Sequence, residues 1–367
     1  MKRILSFTLK VFFFLIILLA LYYLIQPEPY LGKISLYNFI FPGRERLPFG
    51  ENPRVAYNFS LYNLNAMFAS HEISGVQEQD NSFRVITIGD SSVWGTLLKP
   101  EETLAGQLDG EKIKIHGTER TLEVYNLGYP TLSLAKDVLI LQRGMAYKPD
   151  LILWFTTMES FPNEKQIESP LLAKNSEEFA QLLTSYGQIP GWMLKSSPES
   201  FWEKTLFCQR RALMDLIRLQ LYGFMWAATG IDQDYPADYP AAQVDFDRDN
   251  SFHGVDGIYP NDQMAWELLD VGMKIADNVP VILINEPILI SDGENSDIRY
   301  NFYYPRQAYD VWRKDLADRC TGEKWKCLDL WNLLSQSDFT NSAIHYNSEG
   351  GQKVADTILD VLPESLQ

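Results

Sequence analysis

The 367-residue chain is short of cysteine, histidine and positive charge, and each shortage removes a class of function. Three cysteines are too few for a disulfide scaffold. Cys320 and Cys327 flank a short loop and can form one bridge, whereas Cys208, on an apolar helical stretch, reads as a buried thiol. The four histidines are His71, His116, His253 and His345, and none lies at metal-ligand spacing from a cysteine. Neither a metal nor an organic cofactor is required. A net charge of −16 excludes nucleic acid as a partner, because phosphate binding needs a cationic surface, and disfavours flat contact with anionic lipid. The chain also lacks internal repeats and low-complexity tracts. Its 46% hydrophobic and 13% aromatic content is enough for a sizeable core, in one large domain with insertions or two modest ones.

The long apolar run stands at the amino terminus. Met1-Lys2-Arg3 precedes it, and Val11 to Ile25 carries no charge. With Ile4 to Leu9 included the segment can span a bilayer, Lys10 snorkelling toward the cytoplasmic face. Positive charge before the run places the amino terminus inside. No small-x-small cleavage site follows Ile25, which favours an uncleaved anchor over a signal peptide. The expected organisation is an anchor over residues 1–26, a juxtamembrane arm over 27–80 whose Tyr, Asn, Phe and Pro content suggests a packed segment rather than a loose linker, and a domain over 81–362 outside the cytoplasm. There a Cys320–Cys327 bridge is tolerated. Asn58-Phe-Ser60 is a glycosylation acceptor only in a host that glycosylates.

Within 81–362, strand and helix signals alternate. Val85–Ile88, Leu122–Leu127, Asp150–Thr156, Val279–Ile284 and Cys327–Trp331 read as strands. Leu97–Leu108, Leu132–Met145 and Gln352–Leu362 read as helices. Such alternation predicts a parallel sheet covered on both faces. A long insertion, about 161–276, separates the third and fourth strands. It contains helical stretches at Ser176–Tyr186 and Arg211–Trp226 and an acidic loop at Asp232–Asp249. The apolar stripe Leu213, Met214, Leu216, Ile217, Leu219 and Leu221 reads as core packing rather than as a docking face. Long insertions at this end of a sheet form lids or substrate walls.

The first strand stops at Gly89-Asp90-Ser91. Glycine permits a sharp turn there, which presents Ser91 at the carboxyl edge of the sheet, where open α/β folds place their chemistry. A serine so placed needs a base to become a nucleophile. His345 qualifies, on a loop directly before the last helix. Together with Asn126-Leu-Gly128 after the second strand, and Gly350 behind the histidine, these motifs resemble the SGNH/GDSL hydrolase superfamily over roughly 83–160 and 277–362. The resemblance implies a flavodoxin-like three-layer α/β/α sandwich with a parallel sheet, here preceded by an N-terminal transmembrane helix.

It also implies serine esterase or acyl-transfer chemistry, with an oxyanion hole built from the serine N–H, a glycine N–H and an asparagine side chain. Ser91 and Gly128 match the first two. The third block, Phe155 to Ser160, has no asparagine. Glu159 falls near that position and cannot donate while ionised, and Thr156 or Thr157 can supply a hydroxyl instead. Failing that, the pocket has lost one oxyanion contact. The family's aspartate, three residues before the histidine, is Ser342 here, which leaves Asn341, Asp338 or a backbone carbonyl to orient His345. Glu286, ending the fourth strand, faces either the pocket or a neighbouring backbone, and Glu159 and Glu286 are the candidate substrate contacts. Arg299 to Arg306 offers sugar-stacking aromatics but reads rather as a loop packed on the core.

The expected function is therefore that of a membrane-anchored serine hydrolase acting on ester or acylated-glycan substrates. Two alternatives stand beside it: an O-acyltransferase acting on a cell-surface polysaccharide, and a non-catalytic binding protein on the same fold.

Overall fold

The computed structural model describes residues 2–50, 57, 59–75, 81–115, 117–187, 191–193, 200–235 and 238–365. His116 and Asn58, the glycosylation candidate, lie outside the described residues.

Helix α1, Lys2–Ile25, is uninterrupted and is long and apolar enough to cross a membrane. A segment of turns and the short helix α2, Leu64–Ser70, lead to strand β1, Ser82–Ile88. One turn of helix, α3 (Ser91–Trp94), follows it. Next come α4 (Leu104–Leu108), a hairpin of β2 (Lys112–Ile115) and β3 (Thr118–Asn126), α5 (Leu134–Gly144) and β4 (Leu151–Thr156). The insertion holds α6 (Ser176–Ser185), the long α7 (Leu206–Thr229) and a two-residue ladder of β5 (Ser251–Phe252) with β6 (Val255–Asp256). The chain closes with α8 (Glu267–Ala276), β7 (Val281–Asn285), α9 (Arg306–Glu323), β8 (Lys326–Asp329) and α10 (Ser348–Ser365).

Six strands form the sheet in the order β2-β3-β1-β4-β7-β8. All neighbours are parallel except β2 on β3, so the expected all-parallel sheet is a mixed one with an antiparallel edge. Lys112-Ile-Lys-Ile alternates polar and apolar residues, as an edge with one buried face does, and was too short to stand out beside the apolar strands. The central β4 is buried at every position. One sheet face is covered by α5, α8 and α9, the other by α4 and α10, giving two apolar cores. β1 lies between β3 and β4. The chain therefore leaves β1 to one side, returns to the other, and opens a crevice at the carboxyl end of β1.

Three local expectations are corrected, and one helix is added. The Leu97–Leu108 helix is a 3-10 turn at Pro100–Glu102 followed by α4, with Leu97 itself at φ +66°. Helix α9, whose many charged residues hide its apolar stripe of Ala308, Tyr309, Trp312 and Leu316, was not read from the sequence. Cys208 is exposed, because it sits on the outer first turn of α7. The α7 stripe is core only at Leu216 and Leu219, which continue into Gly223 and Trp226, while Met214, Ile217 and Leu221 are exposed. Cys320 and Cys327 are joined, tying the end of α9 to β8.

The juxtamembrane arm is part of the body. Tyr37, Leu47, Leu64, Met67 and Phe68 are buried in the core on the α5 side. Buried His71 donates from Nε2 to the Asn126 carbonyl, 3.0 Å, and accepts the Ile73 N–H at Nδ1, 3.1 Å. Burial holds its pKa down at about 4, so it is neutral. Arg46, wholly buried, donates from Nη1 to the Gly95 and Leu98 carbonyls, each at 2.9 Å, and stacks on Trp94. The arm thereby clamps the chain on both sides of the crevice.

Candidate active site

The strand β1 ends in a turn fixed from several directions. Asp90 caps α3, its Oδ1 accepting the Ser92 N–H at 2.8 Å. The Gly89 carbonyl accepts the Tyr129 N–H, 3.0 Å, and the buried Lys136 ammonium, 2.6 Å. Lys136 is paired with Asp137, whose carboxyl is pushed up to about 6 by burial, with Lys136 pulling the other way. Ser91 is thus the first residue of a helical turn whose entry cannot drift, and its N–H makes no hydrogen bond among the described residues.

Ser91 Oγ lies 2.6 Å from His345 Nε2, and His345 Nδ1 lies 2.8 Å from Asn341 Oδ1. An amide oxygen accepts, so Nδ1 carries the proton and Nε2 is left with its lone pair toward the serine hydroxyl. The loop that delivers His345 is held by the Thr340 N–H donating to the His345 carbonyl at 2.8 Å. Burial lowers the imidazole pKa to about 4, so the ring is neutral over the physiological range. Chemically, the three side chains form a hydroxyl, a base and an orienting acceptor in line.

Asp338 is not part of that line. Its carboxylate accepts from Lys353 Nζ at 2.7 Å and from Ser335, and stays below its ordinary range despite burial because of those bonds. Seven residues before the histidine it caps a 3-10 turn, whereas the loop brings Asn341 round to the ring.

Of the expected oxyanion donors other than Ser91, Gly128 and Thr157 are engaged, whereas the buried Thr156 hydroxyl has no hydrogen-bond partner among the described residues. The Gly128 N–H donates to Asn126 Oδ1 at 3.0 Å, an asparagine bonding the backbone two residues on. Asn126 Nδ2 in turn donates to the Val93 carbonyl, 2.9 Å. Gly128 packs so closely on α3 that a Cβ would lie 2.5 Å from the Trp94 nitrogen. The Thr157 hydroxyl, wholly buried, bonds the Tyr304 hydroxyl at 2.8 Å.

Neither candidate substrate carboxylate is open to a ligand. Glu159 is buried and paired with Lys165 Nζ at 3.1 Å and His253 Nε2 at 3.0 Å, joining the end of β4 to the turn between β5 and β6. Glu286 is 1% exposed and accepts a bond from Ser92 Oγ, so it lies beneath the turn that carries Ser91 rather than over it. Burial, followed by the neighbouring Asp90 charge, raises its pKa far above the carboxylate range. Most of the aromatic run after it is internal, although Phe302 is exposed and Tyr303 half-buried. Tyr300, Asn301 and Tyr304 are buried, and the Arg299 guanidinium donates to the backbone carbonyls of Asp249, Ser251 and Phe302.

No family model and no curated protein matches the chain. Solved structures match the chain at low identity. A lipolytic protein of the G-D-S-L family from Veillonella parvula is 11% identical, the match covering 77% of this chain and 98% of that one, with a TM-score of 0.37. A carbohydrate acetylesterase family member from Sinorhizobium meliloti is also 11% identical, over 77% and 99%, TM-score 0.35. The M. smegmatis aryl esterase is 11% identical, over 78% and 100%, TM-score 0.33. Chemistry at this site rests on its own side chains.

Several residues that build the site were not singled out from the sequence. Lys136 and Asp137 carried a signal, two charges on the otherwise apolar face of α5. Arg46 carried none, since an arginine in a loop segment has no periodicity to violate. Asn126 stood inside a motif noted only for its glycine.

Proposed function

We propose that the chain is a membrane-anchored serine hydrolase of SGNH/GDSL type that cleaves O-acyl esters outside the cytoplasm. The observation that carries this reading is the 2.6 Å contact of Ser91 Oγ with a neutral His345 whose far nitrogen is held by Asn341. His345 takes the hydroxyl proton as Oγ bonds the ester carbonyl carbon, and the carbonyl oxygen becomes an oxyanion beside the Ser91 N–H. The imidazolium then protonates the leaving alkoxide, which departs as an alcohol and leaves an acyl-serine. Water, deprotonated by His345, attacks that ester and releases the acid and free Ser91. An acceptor hydroxyl in place of water makes the same second step a transfer.

A second reading, a non-hydrolytic protein that retains the fold, is favoured by one observation: the Gly128 N–H and the Thr157 hydroxyl are both engaged. One experiment separates the two. The full chain in detergent is treated with a fluorophosphonate probe beside Ser91→Ala and His345→Ala. The expected result is labelling of the parent, none of Ser91→Ala, and labelling of His345→Ala slowed by about 10²-fold or more. An unlabelled parent that unfolds cooperatively on heating overturns the hydrolase and leaves the second reading.

A further inference from the structure

Helix α7 has two apolar faces, and only one is covered by the body. Leu216, Leu219, Gly223 and Trp226 recur at helical spacing and are buried. On the opposite side, Phe207, Met214, Ile217, Leu221 and Met225 form a second stripe that faces outward, with Phe207 and Leu221 each 65% exposed. An amphipathic helix on a soluble body has one such stripe.

The outward stripe adjoins α1. Gln26, directly after α1, donates from Nε2 to the Lys204 carbonyl at 2.8 Å, and the Tyr23 ring lies 4.8 Å from that of Phe201. Phe201 and Trp202 are exposed at this junction, where an aromatic pair suits the boundary between headgroups and acyl chains. The arm adds to the same rim. The Leu36 N–H donates to Gln220 Oε1 at 2.8 Å and Gln220 Nε2 to the Ile34 carbonyl at 3.0 Å. Tyr37 packs on Gly223 so tightly that a Cβ there would lie 1.9 Å from its ring. This fixes Ile34, Leu36, Phe39 and Ile40, all exposed, beside α7.

Charge separates this face from the rest of the molecule. Residues 201–229 carry Lys204, Arg210, Arg211 and Arg218 against Glu203 and Asp215, in a chain of net charge −16. From residue 30 to 43 the one charged residue is Lys33. Apolar side chains edged by arginines are what an interfacial helix presents to a bilayer.

We infer that the outer face of α7 and the arm segment 30–40 dock on the lipid bilayer that holds α1, sinking their apolar side chains into the headgroup boundary. The inference rests on the reading of α1 as a membrane span. With two attachments on one leaflet, the domain is held against the surface rather than swinging on a tether. Behind this face the Arg44 guanidinium stacks 4.5 Å over Trp226 on α7 and pairs with Asp232 at 2.7 Å, two residues before the Arg46 clamp.

The test uses the full chain in vesicles of phosphatidylcholine with a minority of phosphatidylglycerol, in a Cys208→Ser background. Single cysteines at Phe14→Cys, Leu221→Cys and Lys314→Cys carry a fluorophore, and quenching by doxyl-labelled lipid is compared with quenching by iodide. The expected result is several-fold stronger lipid quenching at 14 and 221 than at 314, with iodide reaching 314 alone. Lipid quenching at 14 with iodide quenching at 221 overturns the docking while the anchor stands. Shielding of 221 from both quenchers overturns it in favour of a second copy covering the face. No lipid quenching at 14 removes the anchor itself, and the docking with it.

Discussion

A base that is neutral because it is buried behaves differently from one poised by a carboxylate. His345 has an amide at its back, so nothing offsets the desolvation that lowers its pKa to about 4. Protonation of the ring switches the base off, so the acidic limb of kcat/KM is expected near pH 4 rather than near the ordinary histidine value of 6.5. Asn341→Asp places a negative charge 2.8 Å from Nδ1 and stabilises the imidazolium. The limb should then move up by at least about one pH unit, roughly 1.4 kcal/mol of differential interaction. A pH series of p-nitrophenyl ester hydrolysis by the two proteins measures this, and an unchanged limb would mean that His345 is not the titrating base. At this scale the sequence was legible where side-chain chemistry is rare. Ser91 and His345 stood out because only four histidines compete. The choice between Asn341 and Asp338 depends on how a loop curls, and no residue type encodes that.

Between elements, the carboxyl ends of β1 and β7 are pinned to one another by Glu286, which follows β7 and bonds Ser92 on α3. Its folded pKa is raised above the ordinary 4.5, first by burial and next by the Asp90 charge. Above pH 4.5 the unfolded chain releases this proton while the folded chain retains it, so the group lowers stability as pH rises. Glu286→Gln keeps an acceptor for Ser92 and a donor toward Asp90 but has no proton to retain. The variant should match the parent in Tm at pH 4 and gain on it steadily toward pH 8, by thermal unfolding. A parent that gains on the variant instead would show Glu286 ionised in the fold. Elements built on long apolar runs, β1, β4 and β7, were readable because burial on both faces demands them. The β2 edge and α9 were not, since both are half-covered and their polar faces mask the pattern. The α7 stripe shows the converse limit: a second apolar face looks like core until the structure shows what it packs against.

The arm changes what counts as the domain. A stretch after a hydrophobic helix stands where a tether would, but its aromatic content suggests a packed arm. Tyr37, Leu47, Leu64, Met67, Phe68 and Ile73 are each at most 3% exposed, Arg46 stacks on Trp94 of α3, and His71 bonds Asn126 at the end of β3. Uncovering a large apolar side chain costs about 1.5–3 kcal/mol. Six together approach or exceed the roughly 5–15 kcal/mol by which a domain is stable. A chain beginning at Pro27 is therefore expected to unfold cooperatively and to keep fluorophosphonate labelling, because α1 contributes nothing to either core. One beginning at Asn81 should lack a cooperative transition and expose the α5 side of its core to a hydrophobic dye. Equal Tm values for the two would reduce the arm to a tether.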